Sequence, residues 1–471
     1  MTTDESIVDT AKYLRNVRPI DPDEIFEYVE RTPHPAVVRQ TLREHAFELG
    51  IRERDDGTFV PIEDGTIRPT FRGVTAFPEA YARRFEELLV ERYGPGWPSS
   101  ESGDRLRELI DQLKVSYFAD ESVTYDEETA LAYALYHLPD YYAAIQYTLD
   151  ELGRAGRLSR RLRVLEIGAG TGGPALGIHD YLSDDTLVEY HAVEPSAAAD
   201  VFEAMLDGTR SSFATTVHRE TAEAFDPEGE YDLIVFGNVL SELESPIEVV
   251  ERYLDSLAPD GTVLAIAPAE ERTATRLRRI ERDLVDRNAD LTVYAPTIRL
   301  WDGYQPTDRG WTFTRKPKVD VPAFQRRLDE DRSADKGSTP GDGTYTKPVV
   351  QFAYLLLRKD GQRAIEYEPD PDRVAKMAEM ERHVTERIDL AALKLSPDLA
   401  EDGHPLFKIS DGSEAVDHYA VLTDRSALNE TLADAPYGSL LLFENVLVLW
   451  NDDEGAYNLV VDGESAVDRL A

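Results

Sequence analysis

The chain has 471 residues, which is enough for about two to four domains. It contains no cysteine, and this excludes disulfide bonds, thiolate zinc sites, cysteine nucleophiles and cysteine-ligated iron–sulfur clusters. Asp and Glu number 91 against 51 Lys and Arg, which gives a net charge of −40, and only 10 of the basic residues are lysines. Such a composition is typical of a halophilic protein, because the screening length falls to about 3 Å in 1 M salt and self-repulsion becomes tolerable. The alternative is an ordinary acidic cytosolic protein.

The beginning of the chain shows no targeting signal, since Met1–Thr10 is polar and acidic. No apolar run reaches membrane length. We therefore expect a cytoplasmic protein with no membrane partner.

Residues 1–70 are predicted to form short helices followed by a strand pair. Helical spacing covers Asp21–Glu30 and Ala36–Leu49. Arg52–Pro61 carries an Asp-Asp-Gly step at 55–57, which predicts a hairpin. Helices followed by a hairpin indicate a winged helix, and the alternative is a helical cap with a hairpin beside it.

Residues 71–160 are predicted to be helical. The expected helices are Glu79–Tyr93, Ser102–Leu113, Tyr125–Leu138 and Tyr141–Gly153. Pro139 is expected to separate the last two. An aromatic stripe runs through them, formed by Tyr133, Tyr136, Tyr141, Tyr142 and Tyr147. We interpret the stripe as core packing, with a lid over a cofactor pocket as the alternative.

Residues 161–362 alternate between strand and helix patterns, which predicts a Rossmann-like α/β domain with a parallel sheet. The expected strands are Arg163–Ile167, Val188–Val193, Ala214–Val217, Leu233–Phe236, Thr262–Ala267 and Val349–Leu357. A Pro-Asp-Gly step at 259–261 predicts a turn before the fifth strand. An insertion is expected over about 295–346, with Asp335–Gly343 disordered.

The stretch Val164–Gly173 is the most informative part of the sequence. An apolar strand carries Glu166 near its end and leads into Gly168, Gly170 and Gly172. Glycines at these places let the backbone turn tightly and approach a ligand, and Gly172 or Gly173 lets the next helix begin close to the sheet. The pattern predicts a nucleoside-binding turn.

The next strand ends in Glu194, where a carboxylate accepts the ribose hydroxyls of a nucleoside. The acidic Glu166 suits the sulfonium and amino group of S-adenosylmethionine (SAM) and would repel the pyrophosphate of NAD. The alternative is a glycine turn without a ligand. Ligands of parallel sheets bind beyond the carboxyl ends of the strands. The residues expected around one SAM crevice are Glu166, Gly168, Gly170, Gly172, Glu194, Glu220, Thr221 and Asn238.

Residues 372–471 differ in character from the α/β region. A helix is expected at Pro371–Thr385, followed by five short strands at Phe407–Ser410, His418–Leu422, Leu440–Phe443, Val446–Trp450 and Tyr457–Val461. Five short strands indicate a small β-barrel, OB-like in type. Residues 397–471 contain 16 acids and 3 bases, so we expect this barrel to be too acidic for phosphate binding.

Positive charge is concentrated in a few places. Arg154–Arg163 holds five arginines and no acid, and Arg276–Arg282 holds four arginines on one predicted helix. For the helix we favour ion pairing with carboxylates. Between 299 and 327 basic residues alternate with aromatic ones, a combination that suits phosphate contact and base stacking. The RNA-binding candidates there are Arg299, Trp301, Trp311, Arg315, Lys316 and Lys318.

Several motifs in the middle of the chain resemble those of a known family. They are Ala130–Ala134, Leu138–Tyr141, Leu165–Gly172, Asn238–Leu243, Tyr294–Pro296 and Gly310–Phe313. They are similar to motifs of the methyltransferase-like proteins associated with the mitochondrial small ribosomal subunit, a family with bacterial and archaeal members. The resemblance covers roughly residues 120–360.

This resemblance implies a class I SAM-dependent methyltransferase fold and a protein that acts on or with the small ribosomal subunit or its rRNA. Many family members carry cysteines after the Ala-Pro step and beside the Trp-x-Phe step, where they hold an iron–sulfur cluster. This sequence has Thr297 and Thr312 at those places. We therefore expect a haloarchaeal-type member with no iron–sulfur cluster.

The catalytic candidates are Asn238, Ser241 and Glu242, because catalytic groups of this fold follow the fourth strand. The alternative for Ser241 and Glu242 is capping of the next helix. The sequence lacks the Asn/Asp-Pro-Pro-aromatic motif of base amino methylation. We expect a SAM-binding methyltransferase-like protein that acts on or with the small ribosomal subunit and is linked to rRNA. The first alternative is a non-catalytic small-subunit assembly factor, and the second, less favoured one is a small-molecule methyltransferase.

Overall fold

The structure is a computed structural model that describes residues 3–29, 32–119, 123–331 and 341–471. Most of the predicted disordered stretch Asp335–Gly343 lies outside the described residues. The chain divides into two compact units. The first comprises Met1–Val235 and Val319–Pro348, and the second comprises Phe236–Lys318 and Val349–Ala471. The domain boundaries expected from the sequence stay predictions.

The amino-terminal elements are four helices and a hairpin. They are α1 Thr3–Leu14, α2 Pro22–Ile25, α3 Pro35–Glu44, α4 Ala46–Leu49, β1 Ile51–Glu53 and β2 Phe59–Pro61. The hairpin is antiparallel, with Arg52 opposite Val60, and this confirms the hairpin prediction. Ile20 forms an isolated bridge with Phe59, so the hairpin closes against the segment between α1 and α2. The helix predicted from Asp21 onward is shorter than expected and gives way to a 3-10 turn.

Three longer helices follow, α5 Glu79–Tyr93, α6 Glu101–Ala119 and α7 Glu127–Arg154. Helix α7 continues through Pro139, so the predicted break is wrong. Proline inside a helix costs about 3 kcal/mol. Both halves of α7 bury apolar side chains, for example Leu135 before the proline and Ile145 after it, and this burial offsets the cost.

The central sheet has eight strands. They are β3 Arg161–Ile167, β4 Leu187–Val193, β5 Phe213–His218, β6 Tyr231–Gly237, β7 Leu257–Pro268, β8 Thr292–Ala295, β9 Thr314–Arg315 and β10 Gln351–Arg358. The order is β5-β4-β3-β6-β7-β10-β8, and β9 pairs with β10. The associated helices are α8 Gly173–Tyr181, α9 Ala198–Leu206, α10 Pro246–Leu254, α11 Glu271–Arg287 and α12 Ala323–Glu330. The Rossmann-like α/β prediction is confirmed.

The sheet is mixed, and the expectation of a wholly parallel sheet is wrong. Strands β3, β4 and β5 run parallel, whereas β10 is antiparallel to both β7 and β8. An apolar run such as Phe352–Leu357 predicts a buried strand but carries no signal for its direction. The turn predicted at 259–261 is also wrong, because β7 runs through it and the carbonyl of Asp260 accepts a hydrogen bond from Arg358 Nη2 at 2.7 Å.

The carboxyl-terminal sheet closes into a barrel. Its strands are β11 Arg387–Lys394, β12 Leu406–Ser410, β13 His418–Leu422, β14 Leu440–Asn451, β15 Ala456–Val461 and β16 Ala466–Arg469, with the short helix α13 Thr431–Asp434. Strand β11 pairs with both β12 and β14, so that five strands form a ring in the order β11-β12-β13-β15-β14. The expectation of a small OB-like barrel is confirmed.

Details of the barrel differ from the prediction. The helix expected at Pro371–Thr385 is wrong, since only a kinked 3-10 segment, Met377–His383, forms there. Strand β11 is not predicted by the sequence, because its alanines favour a helix and its pairing with β14 decides its structure. The two strands expected on either side of Asn445 are one strand, and Asn445 takes a φ of 59° within it. No helix among the described residues is long and apolar enough to cross a membrane.

Candidate functional site

The turn between β3 and α8 has the backbone that the glycine motif predicts. Gly168, Gly170 and Gly172 have φ angles of 69°, 54° and 90°. Residues with a Cβ lose about 1–2 kcal/mol in this left-handed region. The amides of Gly168 and Ala169 both donate to the carbonyl of Val193, at 2.9 and 3.1 Å. The turn is therefore fixed to the carboxyl end of β4.

The glycines of this turn have different neighbours. A Cβ on Gly172 would lie 3.2 Å from Phe202 Cδ2, and one on Gly173 would lie 2.9 Å from Tyr141 Cβ. A Cβ on Gly170 would meet nothing within 4 Å. Packing thus requires glycine at 173, the φ of 90° favours it at 172, and Gly170 faces open space into which a ligand can enter.

Glu194 has a second role that the sequence did not reveal. Its Oε2 accepts a hydrogen bond from the amide of Gly170 at 2.9 Å, and its Oε1 accepts from the amide and hydroxyl of Ser196 at 3.0 and 2.5 Å. The carboxylate is buried and links the glycine turn to the segment after β4. Each carboxylate oxygen can accept two hydrogen bonds, so Oε2 retains one place for a ribose hydroxyl.

Glu166 is fully buried, and only one of its oxygens is satisfied. Tyr190 donates its hydroxyl to Oε2 at 2.7 Å, whereas Oε1 has no hydrogen-bond partner. Burial raises the pKa of Glu166 to about 8, and the nearby charge of Glu194 adds to this effect. The group is therefore protonated at neutral pH. A cation brought next to Oε1 would compensate the orphaned oxygen and favour ionisation.

Glu220 and Thr221 are exposed and follow the end of β5. The carbonyl of Thr221 accepts hydrogen bonds from the amides of Ala224 and Phe225, both at 3.1 Å, and begins a turn. The amide of Glu194 donates to the carbonyl of His218 at 2.9 Å, so the ends of β4 and β5 adjoin.

The catalytic candidates Asn238, Ser241 and Glu242 lie in the second unit, after β6. Asn238 is buried and has a φ of 64°. Its backbone N–H donates a hydrogen bond to the carbonyl of Ile266 at 2.9 Å. Arg276 donates to the carbonyls of Ser241 and Leu243, both at 3.0 Å. Helix α10 begins only at Pro246 with Ser245 as its N-cap residue, so the capping alternative is wrong.

The residues expected to contact RNA are largely engaged within the second unit. Arg299 pairs with Asp286 at 2.8 Å, Trp301 donates its indole N–H to Asp411 at 2.8 Å, and Trp311 donates to the carbonyl of Ala269 at 3.1 Å. Arg315 and Lys318 are exposed, and Lys316 is half-buried. These contacts keep both indole N–H groups inside the fold.

The arginine-rich stretches are mostly paired too. Arg154 contacts Asp150 at 2.5 Å, Arg160 contacts Glu63 at 3.2 Å and Asp185 at 3.4 Å, and Arg163 contacts Glu189 at 2.7 Å. Arg278 forms a buried pair with Glu281 at 2.8 Å on α11, as expected for that helix. Ion pairing therefore engages Arg154, Arg160 and Arg163 of the first stretch and Arg278 of the second.

Thr297 and Thr312, which stand where the resembled family carries cysteines, are buried. Thr297 donates its hydroxyl to the carbonyl of Tyr294 at 2.9 Å, and Thr312 accepts a hydrogen bond from Tyr437 at 3.4 Å. Within the described residues, no group of three or more metal-ligating His, Asp or Glu side chains is present.

A polar cluster on α7 was not predicted from the sequence. Lys347 Nζ lies 2.6 Å from Asp140 Oδ2 and 3.0 Å from His137 Nδ1. The sequence signal was the four-residue spacing of Tyr133, His137 and Tyr141, which places their rings on one helix face. Lys347 is far away along the chain, so only the fold brings it there.

Comparison with known families agrees with the geometry of the turn. Residues 165–263 match the family described as a methyltransferase domain. The middle of this chain is a class I methyltransferase domain. Residues 4–55 and 378–470 match the N-terminal and C-terminal domains of a domain of unknown function, DUF8157.

Individual relatives of the methyltransferase domain show only partial similarity. The methyltransferase calH of Penicillium decumbens is 31% identical over 118 residues, which are 23% of this chain and 31% of that protein. The plantazolicin methyltransferase BpumL, solved in complex with SAH, is 12% identical with a TM-score of 0.31, covering 59% of this chain and 99% of that one. A SAM-dependent methyltransferase from Aquifex aeolicus is 16% identical with a TM-score of 0.24, covering 28% and 73%.

Proposed function

We propose that this protein binds SAM at the β3–α8 turn and transfers its methyl group to an acceptor. The observation that carries the proposal is the turn itself: Gly170 faces open space, Glu194 holds the Gly170 amide, and Glu166 carries a buried oxygen without a partner. Glu194 would accept a ribose hydroxyl, and Glu166 would compensate positive charge. When bound, SAM supplies an electrophilic methyl group on a sulfonium.

The residues of the chain contribute mainly binding and orientation. Transfer from a sulfonium requires donor and acceptor atoms in line, and holding two reactants in place can lower the barrier by about 7–11 kcal/mol. The glycine turn is fixed by backbone hydrogen bonds to β4 at two amides, which gives a rigid support for a ligand. A base is needed only for an acceptor atom that carries a proton in water.

The proposal is tested by calorimetric titration of SAM in molar KCl, with Gly170→Val as the key variant. A valine side chain at 170 would fill the open space, so we expect binding to be lost. Gly455→Val is the matched control, because Gly455 has a similar φ of 61° and equally open surroundings on the β14–β15 hairpin. Equal SAM affinity in both variants, or no binding by the folded wild type, would refute the site.

For the acceptor, we favour a small molecule over rRNA. Both indole N–H groups and Arg299, which were expected to contact RNA, are already bonded within the protein. Only Arg315 and Lys318, both exposed, support the second candidate, the small ribosomal subunit or its rRNA. The non-catalytic assembly factor follows if SAM binds without transfer and the protein sediments with the subunit.

Radioactive methyl transfer separates these acceptors. The protein is incubated with labelled SAM and, in parallel, with purified small subunits or a small-molecule extract. Label in the low-molecular-weight fraction supports the first acceptor class. Label in rRNA, lost in an Arg315→Gln/Lys318→Gln variant, favours the second.

A further inference from the structure

The first unit contains a polar and aromatic cluster that the cofactor turn does not use. We call it the α7 cluster, and it consists of Tyr133, His137, Asp140, Tyr141 and Lys347. The rings of His137 and Tyr141 stack with centroids 5.0 Å apart, and Tyr133 donates its hydroxyl to that of Tyr141 at 3.1 Å. Lys347 joins the cluster through Asp140 and His137.

The cluster lies beside the elements that form the cofactor turn. Tyr141 Cβ is the atom that a side chain on Gly173, at the beginning of α8, would strike. The ring of Tyr125 packs edge-on against that of Tyr133, with centroids 5.2 Å apart. The backbone carbonyl of Tyr125 accepts a hydrogen bond from the amide of Ala197 at 3.3 Å. The aromatic row therefore extends from the segment after β4 to the beginning of α8, which are the two segments that border the turn.

Asp140 is the acceptor of the cluster and pairs with Lys347 at 2.6 Å, whereas His137 and Tyr141 can act as hydrogen-bond donors. Because the Lys347 ammonium donates to Nδ1 of His137, the proton of the neutral imidazole sits on Nε2. Burial and the charge of Lys347 lower the pKa of His137 to about 4, so the ring stays neutral near pH 7. Burial also raises the pKa of Tyr141 well above its usual value, so its phenol keeps its proton.

Two ammonium groups, each beside a carboxylate, meet at the cluster: Lys347 pairs with Asp140 at 2.6 Å, and Lys114 lies 3.9 Å from Asp111. The ammonium groups of Lys347 and Lys114 lie 5.3 and 4.5 Å from the ring centroid of Tyr136. Two of the chain's 10 lysines therefore meet at one aromatic side chain of α7. The side chain of His137 is 20% exposed, and Tyr133, Tyr136 and Tyr141 are half-buried, so a ligand can reach the rings.

We propose that the α7 cluster binds the methyl acceptor, and that the acceptor is a flat aromatic or conjugated acid methylated on an anionic oxygen. The rings would stack on its plane, and His137 Nε2–H with the lysine charge would hold its oxygen. This inference rests on the proposed function.

The chemistry balances without a protein base. The acceptor oxygen, ionised in water before it binds, attacks the methyl carbon. The C–O bond forms as the C–S bond breaks, and the sulfur keeps the electron pair of that bond. The products are an ester or an aryl ether and neutral S-adenosylhomocysteine, and no proton moves in the step.

The test uses 4-nitrophenolate, a flat anion whose absorbance reports both binding and ionisation. We expect the wild type to bind it and to lower its apparent pKa. Lys347→Met and His137→Phe should each weaken binding by about tenfold or more, because each removes a charge-assisted or directed hydrogen bond. His137→Phe retains the ring stack and the Lys347–Asp140 pair, so it covers the case in which Lys347→Met fails to fold.

Lys12→Met is the matched control, since Lys12 pairs with Glu48 on the surface at 3.0 Å, outside the cluster. It should bind the probe like the wild type, and the neutral analogue 4-nitroanisole should bind more weakly than the phenolate. No binding of the phenolate, or equal affinity in all variants, overturns the inference. Calorimetry with SAM on the same samples separates the two proposals. SAM binding without phenolate binding overturns only this one. Phenolate binding without SAM binding overturns the proposed function and, with it, the assignment of the bound anion as a methyl acceptor.

Discussion

Glu166 and Glu194 are carboxyl groups at the ends of neighbouring parallel strands, but their surroundings are opposite. Glu194 accepts three hydrogen bonds, from Gly170 and Ser196. Glu166 accepts one, from Tyr190, and its second oxygen is buried without a partner. A buried polar atom without a partner costs about 1–3 kcal/mol. The free protein therefore carries an unfavourable group at the place where a cationic ligand would relieve it.

Glu166→Gln should remove the pH dependence that this group gives to stability. Since the pKa of Glu166 is raised to about 8 in the folded protein, its contribution to stability is fully present below the unfolded pKa and is lost as pH rises through about 8. Between about pH 5 and 8, the free energy of unfolding of the variant should rise relative to that of the wild type by up to about 1.4 kcal/mol per pH unit. Urea unfolding at several pH values measures this.

The same variant also tests the cofactor site. Ionisation of Glu166 should favour SAM, so wild-type affinity should rise toward pH 8 while that of Glu166→Gln stays flat. Parallel pH profiles for the two proteins, in stability and in affinity, would show that Glu166 does not titrate in this range.

At the scale of elements, helix α8 is held against α7 by glycines. A Cβ on Gly177 would lie 2.2 Å from Ile145 Cγ2 and 2.6 Å from the carbonyl of Tyr142. The backbones of the two helices therefore approach closely, and α7 fixes the helix that begins at the cofactor turn. Glycine weakens a helix by about 1 kcal/mol relative to alanine, so its presence here reflects packing and not helix propensity.

Gly177→Ala should destabilise the protein by about 1–3 kcal/mol despite the better helix propensity of alanine, because the new methyl group forces α7 and α8 apart. Thermal unfolding checks the loss, and SAM titration checks whether the displaced helix weakens the turn. Gly96→Ala is the control, since a Cβ there meets nothing within 4 Å. Unchanged stability of Gly177→Ala would mean that the helices are not in close contact.

The barrel contains a buried ion pair between residues that are distant in sequence. Lys408 on β12 is buried and bonds Asp308 at 2.6 Å and Asp417 at 2.7 Å. Burial opposes the charge on Lys408, but the two carboxylates raise its pKa above its usual value. In sequence, Lys408 is one base in an acidic region, and nothing near it shows that Asp308 is its partner.

At the scale of the whole molecule, the net charge of −40 should control stability through salt. Adaptation to high salt stays a prediction, as does the cytoplasmic location. We expect the midpoint of thermal unfolding to rise from about 0.2 M to about 3 M KCl, with most of the rise at the low end where screening changes fastest. Calorimetric scans check this, and sucrose at matched water activity serves as a control for general solvent effects. A midpoint that stays constant with KCl would refute the prediction.

The sequence by itself determined the glycine turn, the two carboxylates beside it, the α/β class of the middle region and the barrel at the end. These features depend on glycine spacing, apolar runs and turn residues, which all involve residues that are close together in the chain. The sequence also excluded every cysteine-based chemistry.

Only the tertiary structure decided the rest. Strand direction at β10, continuity of α7 through Pro139, and the meeting of Lys347 with His137 and Asp140 all depend on packing between segments distant in the chain. The same holds for the basic residues, because whether an arginine is free for RNA depends on which carboxylate the fold places beside it. Burial likewise changed Glu166 from an expected anion into a neutral acid, since desolvation is set by everything that surrounds a group and not by its neighbours in sequence.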